Sequence, residues 1–324
     1  MLAEGGHIPE VLHKPTGVNP LWTPPWQSIE PSTYSLAAHP EYGADAESKL
    51  LAGIMGHNVC IDLFGGPSAD EAAAGITVHG DASVAPYSLA VVDGHIVASA
   101  SLRNSRLYFE RRISLADDGR SVSIAETVEN QSTWDRPIAW TQHVTLGPPF
   151  IEPGTTEFRA SATRSKSFEG DSGPDGYMQA GAEFDWPMVP LKRGGTADMR
   201  VYRDARASAG FTTHLMDPKQ DKAYFIAWSP TSSVVFGYEW NRSDFPWLGI
   251  WEENHSRTNA PWNGQTLTRG MEFGVSPFPE PRRKMIERGN LFGVPAYRWL
   301  PARSVARVEY RAFIATADSI PDHP

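Results

Sequence analysis

The sequence predicts an all-β protein, a large antiparallel β-sandwich, and three observations point there. The 27 prolines and 28 glycines are spread along all 324 residues and cut the chain into short segments. Runs of β-branched, aromatic and alternating residues dominate after Gly75. These runs follow one another without regular intervening helices, which makes a parallel βαβ arrangement improbable.

Taken in order, the N-terminal third is irregular. Prolines at 20, 24, 25 and 31 prevent regular structure between Asn19 and Tyr42. Four aromatic residues there, Trp22, Trp26, Tyr34 and Tyr42, predict a loop packed on the protein. A short helix is expected within Glu47 to Gly56. Ser68 with Glu71 reads as a capping box opening another, ended by Gly75. Leu107 to Ala116 and Ser121 to Asn130 flank Asp117-Asp118-Gly119, a hairpin signal. Further strands are expected at Ile138 to Leu146, Ala223 to Ser229, Ser233 to Trp240, Leu267 to Val275 and Val305 to Ala315. Gly170 to Gly176 reads as an exposed loop.

Composition limits the function. With 40% hydrophobic and 21% charged residues the chain can bury a core. A formal net charge of −9 argues against nucleic acid as a partner. It also offers no polybasic patch for a membrane surface, and Arg282-Arg283-Lys284 reads as a solvated loop. A single cysteine, Cys60, permits no intrachain disulfide, and its apolar neighbours suggest a buried thiol. No secretory signal is evident, so a cytoplasmic location is the expectation. P-loop, GxGxxG, HExxH and GxSxG patterns are absent.

What remains is a pattern within strands, where side chains alternate faces. In Ile138 to Leu146 one face is apolar except for Gln142, and the other is Ala139, Thr141, His143 and Thr145. In Leu267 to Val275 one face is apolar except for Arg269, and the other is Thr268, Gly270, Glu272 and Gly274. The same alternation puts His79 with Thr77, and Trp251 with Trp247 and Gly249. Small residues carrying isolated His, Glu and Trp side chains leave room for a pyranose. An indole stacks on its C–H face, and the titratable groups move protons. A lone His or Glu on a strand is more often solvated or structural, so the coincidence of several carries the inference.

Four stretches resemble the galactose-mutarotase-like superfamily: GIMGHNVC (Gly53 to Cys60), GITVHG (Gly75 to Gly80), ETVENQS through WTQHVTLGPPF (Glu126 to Phe150), and GIWEENH followed by RGMEFGVSPFP. The resemblance implies a β-supersandwich over residues 1–324, with the start at Gly5-Gly6-His7 leaving the family's first strand upstream. It implies an aldose 1-epimerase-like enzyme without metal or cofactor, acting on a small-molecule sugar. Glu272 would be the general base at the anomeric hydroxyl and His143 the general acid at the ring oxygen. His79, His57, Asn58 and Trp251 would bind substrate, with His57 standing where an arginine is usual. The sugar-binding aspartate has only Asp217 and Asp244 as candidates.

Other readings stay open at this point. One is a non-catalytic sugar-binding module with Trp22, Trp26, Trp251 and Trp262 as platforms. Another is a metal-dependent enzyme using His57, His79, His143 and Glu272. A third is a lyase or hydrolase, for which Glu252 or Glu253 would have to supply a second carboxylate.

Overall fold

A computed structural model describes all 324 residues. Two eight-stranded antiparallel sheets carry the fold. The first has the strand order His57–Asp62, Arg136–Leu146, Leu267–Gly274, Trp247–Asn254, Ser208–Met216, Ala162–Ser167 and Glu183–Asp185, with Arg298–Leu300 also pairing to Arg136–Leu146. The second runs from Ser88–Val92 through His95–Leu102, Leu107–Leu115, Ser121–Asn130, Val305–Thr316, Val234–Asn241 and Lys222–Ser229 to Glu157–Ala160. Their facing sides meet in one core of 44 buried residues, including Trp140, Phe225, Tyr238, Trp240 and Phe273. Burial of apolar surface on this scale is the main drive to fold.

The Asp117-Asp118-Gly119 hairpin joins strands Leu107–Leu115 and Ser121–Asn130, with Gly119 at positive φ. Ser68 and Glu71 form the reciprocal capping box of helix Ala69–Ala73. The Asn19 to Tyr42 loop packs on the body through Trp22 and Tyr42, both buried.

Some expectations are corrected. The segment around His79 is a tight turn rather than a strand, and His79 itself has φ 66°. Arg282-Arg283-Lys284 opens helix Arg282–Arg288 instead of a solvated loop. Arg282 reaches back to pair with Asp62 and Glu71, tying that helix to the edge of the first sheet. No helix is long and apolar enough to cross a membrane.

The two polar residues that interrupt apolar faces are buried and engaged, except that Arg269 Nε has no hydrogen-bond partner. Gln142 Oε1 accepts from Arg111, His57 Nε2 lies 3.0 Å away, and Gln142 Nε2 donates to Glu126. Arg111 and Trp140 also donate to Glu126. Arg269 pairs with Glu252 and donates to Met199 O, with its guanidinium 4.4 Å over the Phe158 ring. Buried ions survive only with such partners.

Candidate functional site

The sheet register assembles the site. Asn58, His143, Glu272, Gly249, Thr213 and Lys166 stand side by side across six strands. Directly opposed residues in antiparallel strands share a face, here the face away from the core. Glycine at 249 keeps this row open, because a Cβ there would lie 2.7 Å from the Phe211 ring. Glycine at 270 lets the Glu272 side chain lie flat, because a Cβ there would collide with its Oε1.

Above this row lies a groove of about 650 Å³ lined by His79, His143, Phe211, Trp251, Glu253 and Glu272, among others. His143 Nε2 and Glu272 Oε1 are 3.1 Å apart. They are in reach of each other but not in aligned hydrogen-bond geometry, and Oε1 has no other partner. His143 Nδ1 is 3.0 Å from Thr145 Oγ1, which orients the imidazole. The His79 ring centre is 4.6 Å from that of His143, and Trp251 is 6.0 Å from it. His79 Nδ1 is buried without a partner. The turn presenting His79 is held by Thr77 and Ser83 hydroxyls, both donating to Gly80 O.

Burial governs the proton balance. It pushes the Glu272 carboxyl up to about 8. It pushes His143 down to about 3 and His79 well below the usual imidazole range. At neutral pH the pair therefore holds one proton, on Glu272, facing a neutral imidazole. A carboxylic acid and an imidazole in contact can exchange that proton with little motion.

Of the six residues expected from the sequence, the groove is lined by Glu272, His143, His79 and Trp251. Asn58 flanks His143 in the register and is buried, with neither side-chain polar atom hydrogen-bonded. His57 does not belong to the groove. It precedes Asn58 by one residue, so its side chain points to the opposite face. There Tyr238 Oη lies 3.0 Å from Nδ1 and Gln142 Oε1 3.0 Å from Nε2. The four-ligand set His57, His79, His143 and Glu272 accordingly does not assemble. No three His, Cys, Asp or Glu side chains come together in an arrangement that could hold a metal.

Trp22 and Trp26 do not line the groove, whereas Trp262 borders it beside Trp251, their ring centres 6.1 Å apart. Trp22 and Trp262 stack on each other at 6.3 Å and are buried, with Trp26 packed edge-on against both. Neither Asp217 nor Asp244 reaches the groove. Asp217 accepts from Lys219 N and Gln220, and Asp244 from Asn241. The sequence reading assigned no pocket role to Phe64, Phe168, Phe211 or Arg257. Ala209, Phe211 and Thr213 alternate onto the groove side of Ser208–Met216, but that strand is buried on both faces and its sequence does not show which face is which.

The architecture has close counterparts among solved structures. A Klebsiella pneumoniae protein carrying a provisional aldose 1-epimerase assignment superposes with a TM-score of 0.65 over 94% of this chain and 73% of its own, at 15% identity. Galactose mutarotase-like proteins from Lactobacillus casei and Clostridium acetobutylicum each give a TM-score of 0.59. The first covers 97% of this chain and 96% of its own at 13% identity, the second 97% and 90% at 14%. The chain has the galactose mutarotase-like fold. No family model and no curated protein matches the sequence. Identities this low leave the galactose mutarotase-like fold as what the counterparts establish, and chemistry must be argued from the residues of the groove.

Proposed function

We propose that this chain is a carbohydrate-active isomerase that interconverts the anomers of a sugar, a reaction of the aldose 1-epimerase type. The observation that carries the reading is the His143–Glu272 pair, 3.1 Å apart at the floor of a groove with room for a pyranose. Glu272 takes the proton of the anomeric hydroxyl, the C1–O5 bond breaks, and His143 delivers a proton to the ring oxygen. Rotation about C1–C2 turns the aldehyde over. On reclosure O5 returns its proton to His143, and Glu272 reprotonates the new anomeric oxygen. Each transfer group of this kind contributes about 10²–10⁴-fold in rate.

The reaction needs Glu272 ionised and His143 protonated, the reverse of what burial alone favours. Sugar hydroxyls donating to the carboxylate, and a ring oxygen accepting from the imidazole, favour those charged forms. Substrate binding thus moves the shared proton across the pair. His79 and Trp251 hold the sugar, His79 through its unpaired Nδ1 and Trp251 through its ring face, with the unpaired amide of Asn58 behind them beside His143.

A hydrolase needs two carboxylates about 5–9.5 Å apart across the scissile bond. Glu252 is consumed beneath the sheet by Arg269 and Ser208. Glu253 pairs in register with Thr268, a backbone separation from Glu272 of about 13 Å at ~3.3 Å per residue, and its carboxylate is engaged by Ser256 N, Arg257 N and the Arg257 guanidinium. Neither position suits that role.

Fresh α-glucose and α-galactose followed by polarimetry, above the spontaneous rate, test the proposal with wild type beside Glu272→Gln. The expected result is an accelerated approach to equilibrium that the variant loses by at least about a hundredfold. Equal rates for the two proteins with sugar binding intact would leave a binding module instead.

A further inference from the structure

The groove continues well past the pair that handles the anomeric centre. Its floor steps along the strands in three rows: Glu272 with Gly249, then Gly270 with Trp251 and Phe211, then Thr268 with Glu253 and Ala209. Two steps of two residues make about 13 Å of floor beyond Glu272 at ~3.3 Å per residue. Past the last row the walls are the 171–174 and 256–259 segments. A volume of about 650 Å³ falls mid-range for pockets of ~300–1,000 Å³ that hold drug-sized ligands, more than one monosaccharide fills. A second hollow of about 290 Å³ adjoins it, sharing Phe168, Asp171, Ser172 and Phe211.

The chemistry of this outer half restricts its occupant. Arg257 is the sole lysine or arginine of the groove proper, with Lys192 on the adjoining hollow, and Arg257 is engaged by Glu47 at 3.0 Å and Glu253 at 3.7 Å. Glu253 Oε1 accepts from the backbone N–H groups of Ser256 and Arg257, while Oε2 faces Arg257 Nε at 3.7 Å, beyond hydrogen-bond distance. With Asp171 also on the wall, the surface repels a phosphate or a uronate and accepts hydroxyl groups. Trp251, half-buried between the two halves, offers a ring face to a pyranose.

We infer that the groove takes an uncharged glycan of at least two sugar units, its reducing end at His143 and Glu272 and its next unit along Trp251 toward Glu253. This rests on the anomeric-centre reading proposed above. For an enzyme of this kind the second unit supplies binding energy remote from the reacting carbon.

Two measurements test it separately from that reading. Exchange NMR at the anomeric proton gives kcat/KM for glucose and galactose and for their α1,4-, β1,4- and β1,3-linked disaccharides. At least one disaccharide is expected to exceed its reducing-end monosaccharide by about tenfold, near 1.4 kcal/mol of added transition-state binding. Ala209→Phe, which fills the outer floor, should bring that ratio to about one. Calorimetric titration of Glu272→Gln with the same sugars reads the groove without catalysis. Tighter binding of a disaccharide supports the inference even if no anomer is interconverted, in which case the isomerase reading alone fails. Catalysis and binding in which no disaccharide surpasses its monosaccharide would overturn the inference and leave the isomerase reading standing.

Discussion

Replacing Glu272 by glutamine should stabilise the protein, and by an amount that grows with pH. Glu272 is 3% exposed, and burial raises its carboxyl from 4.5 to about 8. Between those values the unfolded chain releases the proton while the folded chain keeps it. The raised group therefore favours folding at low pH, and stability falls as pH climbs through the interval. At 1.36 kcal/mol per unit the accumulated loss is about 5 kcal/mol above pH 8. Glutamine keeps the shape and carries no such proton. At about 2.1 cal/mol/K per residue, the unfolding entropy of 324 residues converts that difference to roughly 7 °C in Tm. Calorimetric melts of both proteins at pH 5 and pH 9 check it, since every other titrating group cancels between them. A Tm difference that is the same at both pH values would refute the claim that Glu272 is held neutral by burial.

The pH profile of kcat/KM for anomer interconversion should form a broad plateau, declining above about 8 as Glu272 gives up the shared proton and below about 3 as His143 gains one, which initial rates across that range will show. Gly270→Ala should cost the activity at least about tenfold with little change in Tm, because its Cβ meets only the movable end of Glu272; a folded variant with full activity would show that the carboxylate needs no such clearance. His57→Leu should lower Tm while leaving KM for sugars unchanged, since His57 bonds within the core. Gln142→Leu should destabilise by about 1–3 kcal/mol for each buried donor it strands, measured by urea titration.

How far the sequence could be read depended on what each residue's neighbours were. Strand alternation put His143 and Glu272 on small polar faces, and the register then set them side by side. Alternation alone cannot say which face turns inward when both are buried, as they are in Arg136–Leu146. His57 was expected in the groove because the resemblance put it in an arginine's place, but as the neighbour of Asn58 in an extended strand it lies on the opposite face. Gln142 and Arg269 looked like blemishes on apolar stripes. They are the acceptor and donor of buried networks whose partners, Arg111, Glu126 and Glu252, come from elsewhere in the chain. Strands His57–Asp62 and Ser208–Met216 are buried on both sides and carry no clean period-two signal. His79 sits at positive φ in a turn, a conformation that a strand-based reading has no means of anticipating.

The Gln142 cluster has a consequence for how the chain finds its native pairing. Sliding strand Arg136–Leu146 by a single position against its neighbours would exchange Gln142 with His143. The guanidinium of Arg111 and the carboxylate of Glu126 would then be sealed in with an imidazole that cannot serve both. A purely aliphatic residue at 142 would impose no such penalty, and shifted alignments would lie closer in energy to the correct one. The ion pair behind the sheet thus acts as a proofreader of strand alignment, admitting only the arrangement in which the imidazole and the carboxyl face each other on the open side.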